Sequence, residues 1–512
     1  EVNLNNGTQQ TSENDKGNLI ISMDRLKVID YDYGSRSYSN CGWITTRPIN
    51  EGECRMWGNP IGEMMYESLR YFAGKGAATA AFTYTNPADA GVNLTKPAWG
   101  YNKGSEFFQP YQIYPSCSQA FNLVLSDVNS SYDSDQIPGT SYATFDEDTA
   151  TPTLGLGAVQ TVSGKTLLNE LLDDISATEG VDSNNWFIGE SGGSTDFICS
   201  AKSVTNLHTI RGICPEEPTK LGSYYAAAVA YYGKTRFNSA TGFAPVNTFV
   251  VALSSPFADI KIKAGGRLVN VVPVGKSVSG SHSIKENCWD KCTTRTIDSN
   301  GLRLSGCSAT AFCPTNSLVD FYIDDLKYDS GNNIVYAKFR INFEDVEQGA
   351  DHDMDAIVTY EICTQAAADA NYGSCVGTLP GDLRITVNSD YAAGSIDQVL
   401  GFVISGTQAN STLGTLGDGT YLVVKDKDVG SGSPVTGLPL TATLDFSTSS
   451  STTAAGYLKN PLWYAAKWGG FTGTGKPDST AKWDRNNDGV PDSYFPVSNP
   501  LELDEQLQKA LD

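Results

Sequence analysis

The sequence predicts a mixed architecture, α/β plus all-β, in which a doubly wound α/β sheet carries an inserted β-sandwich-like module. Three observations lead there. Buried strand runs alternate with helical periodicity in the first half. Short alternating runs punctuated by Gly, Asn, Asp and Ser take over from about residue 256. A strand–helix pair then returns near the end. With 512 residues, the chain is too long for one simple core, so two or three domains are expected.

In the first region, residues 1–255, Asn59-Pro60 suits a helix start, because Asn caps well and Pro fits the first turn. Ile61, Met65, Leu69 and Phe72 follow at helical spacing and Gly74 ends the run. Residues 120–126 (Ala-Phe-Asn-Leu-Val-Leu-Ser) read as a buried strand leading into Asp127. Residues 164–176 and 218–232 read as helices, and 248–253 as a second buried strand. The β-rich module, 256–450, is expected to place strands at 259–263, 268–274, 319–323, 334–343, 357–362, 383–387, 399–404 and 421–425. A Ser/Thr-rich stretch at 447–453 marks its end. The last region, 451–512, opens with a short helix at 461–468. Tyr494–Val497 reads as a strand, and Asn499-Pro500-Leu501-Glu502 starts a helix whose apolar face is Leu503, Leu507 and Leu511. This pair is expected to complete the α/β sheet, which makes the β-module an insertion.

The net charge is −22, from 36 basic and 58 acidic residues. Nucleic acid is excluded as an expected partner, since phosphate binding needs a basic surface. The acidic balance suits cation binding or plain solubility. No apolar run reaches the ~18–20 residues that span a bilayer. No signal peptide is visible and residue 1 is Glu, so a mature form or a fragment is expected. Eleven cysteines favour an oxidising compartment. Ten form close pairs in sequence: 41/54, 199/214, 288/292, 307/313 and 363/375, with Cys117 outside them. Spacing does not fix connectivity, and the four between 288 and 313 also admit zinc, at spacings unlike the common knuckles. The odd total implies one thiol whose partner lies in sequence outside this chain.

The sharpest chemical signal is Asp484-Arg485-Asn486-Asn487-Asp488-Gly489-Val490-Pro491-Asp492. Oxygen donors recur at positions 1, 3, 5 and 9, with Gly at 6, which is the spacing a short loop needs to wrap calcium. Asp484, Asn486 and Asp488 would ligate through side chains, Val490 through its carbonyl, and Asp492 directly or through water. Position 12 is Phe495 rather than a bidentate Glu, so the expected dissociation constant is on the order of 10⁻⁴–10⁻³ M. A second candidate is the acidic stretch 344–355, where a strand leads into Asp351, Asp353 and Asp355; the alternative there is a solvated hairpin loop. Gly189-Glu190-Ser191-Gly192-Gly193 matches the Gly-x-Ser-x-Gly pattern of a hydrolase elbow. A hydrolase also needs a positioned base, and the histidines are His208, His282 and His352. A flexible Gly-rich loop is the expectation.

Longer landmarks carry a resemblance. The stretch 123–136, Leu-Val-Leu-Ser-Asp-Val-Asn-Ser-Ser-Tyr-Asp-Ser-Asp-Gln, resembles a segment of the PilY/PilC family of type IV pilus tip-associated adhesins. So do Ile210-Arg211-Gly212 through Lys220, Gly222-Ser223-Tyr224-Tyr225, the run 343–355, and Asn460 through Phe471. Together they extend from about residue 56 to the end. The resemblance implies a von Willebrand factor A-like region, with 494–512 as its last strand and helix, and a C-terminal β-propeller that this chain lacks. It implies location at the pilus tip, assembly with minor pilins, attachment to a host or abiotic surface receptor, and twitching. Two departures stand out. The region 1–255 carries no Asp-x-Ser-x-Ser strand end, and Asn59 stands where many A-type domains place Thr. Asp127 alone matches the third strand-end aspartate of the A-type metal site. The expectation is a non-enzymatic, calcium-binding adhesin and assembly factor. The alternatives are a secreted serine hydrolase using Ser191 and a carbohydrate-binding module.

Overall fold

The computed structural model of the chain describes residues 58–75, 77–82, 119–126, 129–143, 165–182, 184–192, 194–253, 259–278, 317–344, 355–394, 397–430 and 437–511, with four further short antiparallel pairings, of 31–32 with 37–38, 101–103 with 106–108, 161–162 with 165–166 and 296–297 with 303–304. Helix α1 (Ile61–Phe72) starts after Pro60 and buries Ile61, Met65, Tyr66 and Leu69. Strand β1 (Ala120–Ser126) alternates strictly. Ala120, Asn122, Val124 and Ser126 point inward, while Phe121, Leu123 and Leu125 are exposed.

Helix α2 (Leu167–Glu179) lies three residues later than the 164–176 periodicity suggests. Lys165 and Thr166 instead form a short hairpin with Thr161 and Val162. The segment 184–204 is a β-hairpin, β2 (Asn184–Ser191) and β3 (Ser194–Val204), extended by the two-residue β4 (Ile210–Arg211). The helix anticipated at 218–232 begins only at Tyr225, as α3 (Tyr225–Thr235). Pro218–Lys220 form a 3₁₀ turn, and Leu221 follows in the left-handed region at φ 53°. Gly222 then sits so close to the Ser130 carbonyl that a Cβ there would fall 1.8 Å from its oxygen. That turn lets α3 enter the core buried nearly all round, consistent with its Ala- and Tyr-rich sequence.

Strand β5 (Val246–Leu253) pairs in parallel with β1, Val250 opposite Val124. The β-module comprises β6 (Ile260–Ala264), β7 (Arg267–Val278), β8 (Ser317–Tyr328), β9 (Ile334–Glu344), β10 (Ala356–Thr364), the short helix α4 (Gln365–Asp369), β11 (Leu383–Ala392), β12 (Asp397–Ser405), β13 (Gly419–Lys425) and β14 (Thr441–Phe446). Its antiparallel strands form two sheets, one of order β6-β7-β12-β13 and one of order β8-β9-β10-β11-β14. Inward residues of both sheets, including Val271, Phe339, Ile362, Ile385, Phe402 and Phe446, share one core, as in a sandwich. Tyr360 ties the layers by donating its hydroxyl to the Gly401 carbonyl at 2.6 Å. Disulfides join Cys199 to Cys214 and Cys363 to Cys375, with Cα separations of 5.5 and 5.9 Å. The remaining cysteines lie outside the described residues.

The chain then forms α5 (Pro461–Gly470), the four-residue helix α6 (Thr480–Trp483), β15 (Tyr494–Val497) and α7 (Leu503–Leu511). Strand β15 pairs in parallel with β5, Tyr494 opposite Val250, giving a three-stranded sheet of order β15-β5-β1. Helix α5 packs between α3 and β5 because its end is glycine: a Cβ on Gly469 would lie 2.7 Å from Thr248 Cβ and 2.8 Å from Ala230 Cβ. The T-shaped pair Tyr231–Trp468, with ring centroids 4.7 Å apart, seals the helix contact. The protein is thus a mixed α/β structure joined to a β-sandwich. No helix among the described residues is long and apolar enough to cross a membrane.

Candidate functional site

The 484–492 loop is positioned from both ends. Before it, Trp483 stacks edge-on against Trp463 at 5.7 Å. Lys467 lies 4.0 Å over the Trp483 ring while its ammonium meets Glu179 at 2.8 Å. Trp468 Nε1 donates to the same Glu179 carboxylate at 2.8 Å. After the loop, the buried Ser493 donates its hydroxyl to the Ala466 carbonyl at 2.8 Å. The loop therefore hangs from the core helix α5 and feeds directly into β15.

Within the loop, the buried Asp484 accepts from the backbone amides of Asp488 at 3.0 Å and Gly489 at 2.9 Å. Asp488 accepts from the Val490 amide at 2.8 Å and from Asn486 Nδ2 at 2.8 Å. Asn487 and Gly489 take positive φ, 58° and 83°, which makes the turn tight. Asp492 pairs with Arg485 Nε at 2.7 Å. Asp484, Asn486, Asp488, Val490 and Asp492 thus lie on one short turn, and backbone amides and one guanidinium take up the carboxylate charge.

Of the second acidic stretch, Asp351 and Asp353 lie outside the described residues. Asp355 is buried just before β10, and its carbonyl accepts from the Ala393 amide at 2.9 Å. Asp127 also lies outside the described residues. Its described neighbours in sequence, Ser126 and Asn129, are polar and buried. Asn59 spends its two amide hydrogens on Ser126 Oγ at 3.0 Å and the Asn129 carbonyl at 3.1 Å, and Asn129 donates to Glu216. Asn460, the cap of α5, reaches Asn129 Oδ1 at 2.7 Å. This cluster forms at the carboxyl end of β1, where open parallel sheets gather ligand-binding loops. Beside it, Asp133 is completely buried. Burial pushes its carboxyl up to about 7 despite the stabilising hydrogen bonds from Ser223.

Ser191 closes β2 of an antiparallel hairpin, so the Gly-x-Ser-x-Gly stretch is not a strand-to-helix elbow. Its hydroxyl donates to the Ser203 carbonyl at 2.8 Å. His208 Nδ1 instead faces Asp173 Oδ1 at 2.7 Å.

One cluster was not legible in the sequence. Asp397, Asp426 and Asp428 each bring a carboxylate oxygen to within 4.8 Å of the others. Asp426 is 1% exposed; burial first, then the repulsion of Asp397 and Asp428, raises its carboxyl to about 8 against the hydrogen bond from Gln398 and the attraction of Lys425. The only linear hint was the Asp-x-Asp spacing of 426 and 428 after a strand. Asp397 sits 29 residues upstream and joins them only through strand pairing. A second grouping, Glu361 with Cys363 and Cys375, is no thiolate site, because those cysteines are disulfide-bonded.

Fold and site together define a disulfide-linked protein of mixed α/β and β-sandwich architecture with oxygen-rich turns. Two models of one family match the chain. The one described as "PilY1 homolog, second domain" matches residues 1–233, and the one described as "PilY1 homolog, beta-sandwich" matches residues 294–459. The chain belongs to this family of PilY1 homologues. It is 35% identical over 542 aligned positions to the "Type IV pilus biogenesis factor PilY1 homolog" of Xylella fastidiosa (strain Temecula1 / ATCC 700964), an alignment that covers 96% of this chain and 32% of that relative. The chain therefore spans about a third of the length of the curated relative it matches. No solved structure matches it.

Proposed function

We propose that this chain is the scaffold portion of an exported, type IV pilus-associated biogenesis factor and adhesin, and that it works by presenting rigid surface rather than by catalysis. The observation that carries this reading is the 35% identity spread over 96% of the chain to a type IV pilus biogenesis factor homologue. Two disulfides bracket segments of the sandwich and its adjoining hairpin. Calcium bound in the 484–492 loop, through Asp484, Asn486, Asp488, the Val490 carbonyl and Asp492, would stiffen the link between α5 and β15. Asp127, Asp351, Asp353 and Asp355 are secondary candidates for the same ion. The partners in this reading are minor pilins at the pilus tip, a surface receptor, and a β-propeller region in sequence outside this chain. Surface attachment and twitching are the outputs.

The test has a molecular and a cellular arm. Calcium at about 100 times its dissociation constant stabilises a single site by about 2.7 kcal/mol. A melt with calcium should therefore rise in temperature, and Asp488→Ala should reduce the rise. In the bacterium that encodes the chain, deletion should abolish surface pili and attachment, wild type should restore both, and Asp488→Ala should restore less. Full piliation and attachment after deletion would refute the assignment.

A further inference from the structure

We propose that Asp397, Asp426 and Asp428 form a calcium site at one end of the β-sandwich, separate from the 484–492 loop. Antiparallel pairing of β12 with β13, Val399 opposite Lys425, brings the start of one strand and the end of the other to the same sheet end. Asp397 opens β12, Asp426 directly follows β13, and Asp428 lies two residues further on a turn. The three carboxylates offer oxygens within 4.8 Å of one another.

The second observation is the state of Asp426. One carboxylate oxygen, Oδ2, accepts from the Gln398 amide, and the Asp426 amide donates back to the Gln398 carbonyl at 3.0 Å. This reciprocal pair fixes the side chain. The other oxygen, Oδ1, is buried and has no hydrogen-bond partner among the described residues. A buried acceptor without a donor costs free energy, and a pinned carboxylate beside two more is an arrangement a divalent cation relieves. All three donors are hard oxygens, which selects calcium or a similar hard cation over zinc or copper. The exposed Asp428 gives the ion an entry path, and carbonyls and water would complete six to eight ligands.

The test uses the full chain and calcium alone, read by titration calorimetry and by terbium luminescence. Asp428→Asn, at an exposed position, should keep the fold and weaken this site at least tenfold. Asp426→Asn preserves shape and should do the same. Asp488→Ala should leave this site intact, so the two sites are scored separately. Loss of a calcium equivalent in Asp428→Asn and Asp426→Asn, but not in Asp488→Ala, supports the sandwich site even if the loop binds nothing. Unchanged stoichiometry and affinity in both sandwich variants overturns it, whatever the loop does.

Discussion

Asp133 makes folding stability depend on pH in a direction opposite to the usual carboxylate. It is completely buried, accepts from the Ser223 amide at 2.9 Å, and has a second oxygen with no hydrogen-bond partner among the described residues. Burial raises its carboxyl from 3.8 to about 7. The folded state therefore holds a proton that the unfolded state has released. Below about pH 4 both states are protonated and the contribution to stability is complete. It is lost as pH rises toward 7 and is absent above that. Each tenfold change in proton affinity is 1.36 kcal/mol, so the full loss is about 4 kcal/mol, an upper figure for a site that can relax on ionising. Asp133→Asn keeps the shape and cannot ionise. Urea unfolding of wild type and variant between about pH 4 and 8 gives two profiles, and their difference isolates this residue, because distant sites add nearly independently. The expected difference swings toward the variant by a few kcal/mol across that range. Parallel profiles would show that the carboxyl is ionised in the folded protein and would refute the reasoning.

Two further outcomes follow from the packing beneath the 484–492 loop. Glu179→Gln or Lys467→Met alone leaves one member of a nearly buried ion pair without its partner and should destabilise by about 3–5 kcal/mol. The double variant should cost less than the sum, and denaturant unfolding of the four-member cycle reads the coupling. Gly469→Ala improves intrinsic helix propensity by about 1 kcal/mol, yet its methyl would meet Thr248 and Ala230 at under 3 Å. A net loss of about 1–3 kcal/mol is expected from overpacking, and a variant melting at or above wild type would show that α5 does not approach β5 so closely.

Particular elements show what the linear pattern could and could not reveal. The run 120–126 coincides with β1, and the strands read at 334–343, 421–425 and 383–387 lie within β9, β13 and β11, which run one, two and five residues further. In each, alternation or a continuous apolar run states which side chains must leave water. The stretch 189–193 reads as a Gly-rich loop, whereas residues 189–191 belong to β2, which pairs with β3, and neither strand is anticipated from the linear pattern. Gly189 is there because a Cβ would strike the Pro218 carbonyl at 2.5 Å, a contact between distant segments that no local window contains. Strand β14 was missed because its outward face is Thr441, Thr443 and Asp445; its partner β11 supplies the pairing, including Arg384 against Asp445 at 2.8 Å.

The sequence by itself determined the succession of α/β and β segments, the acidic surface, the short 484–492 turn, and the family resemblance, because all of these are carried by neighbours along the chain. Only the tertiary structure decided which carboxylates share a space. Asp484 and Asp492 are eight residues apart, yet one is held by backbone amides and the other by Arg485. Asp397 and Asp426, 29 residues apart, are brought together by the register of two antiparallel strands. Electrostatic interaction depends on distance through space and on the burial of the charges, and neither quantity is written in the order of residues.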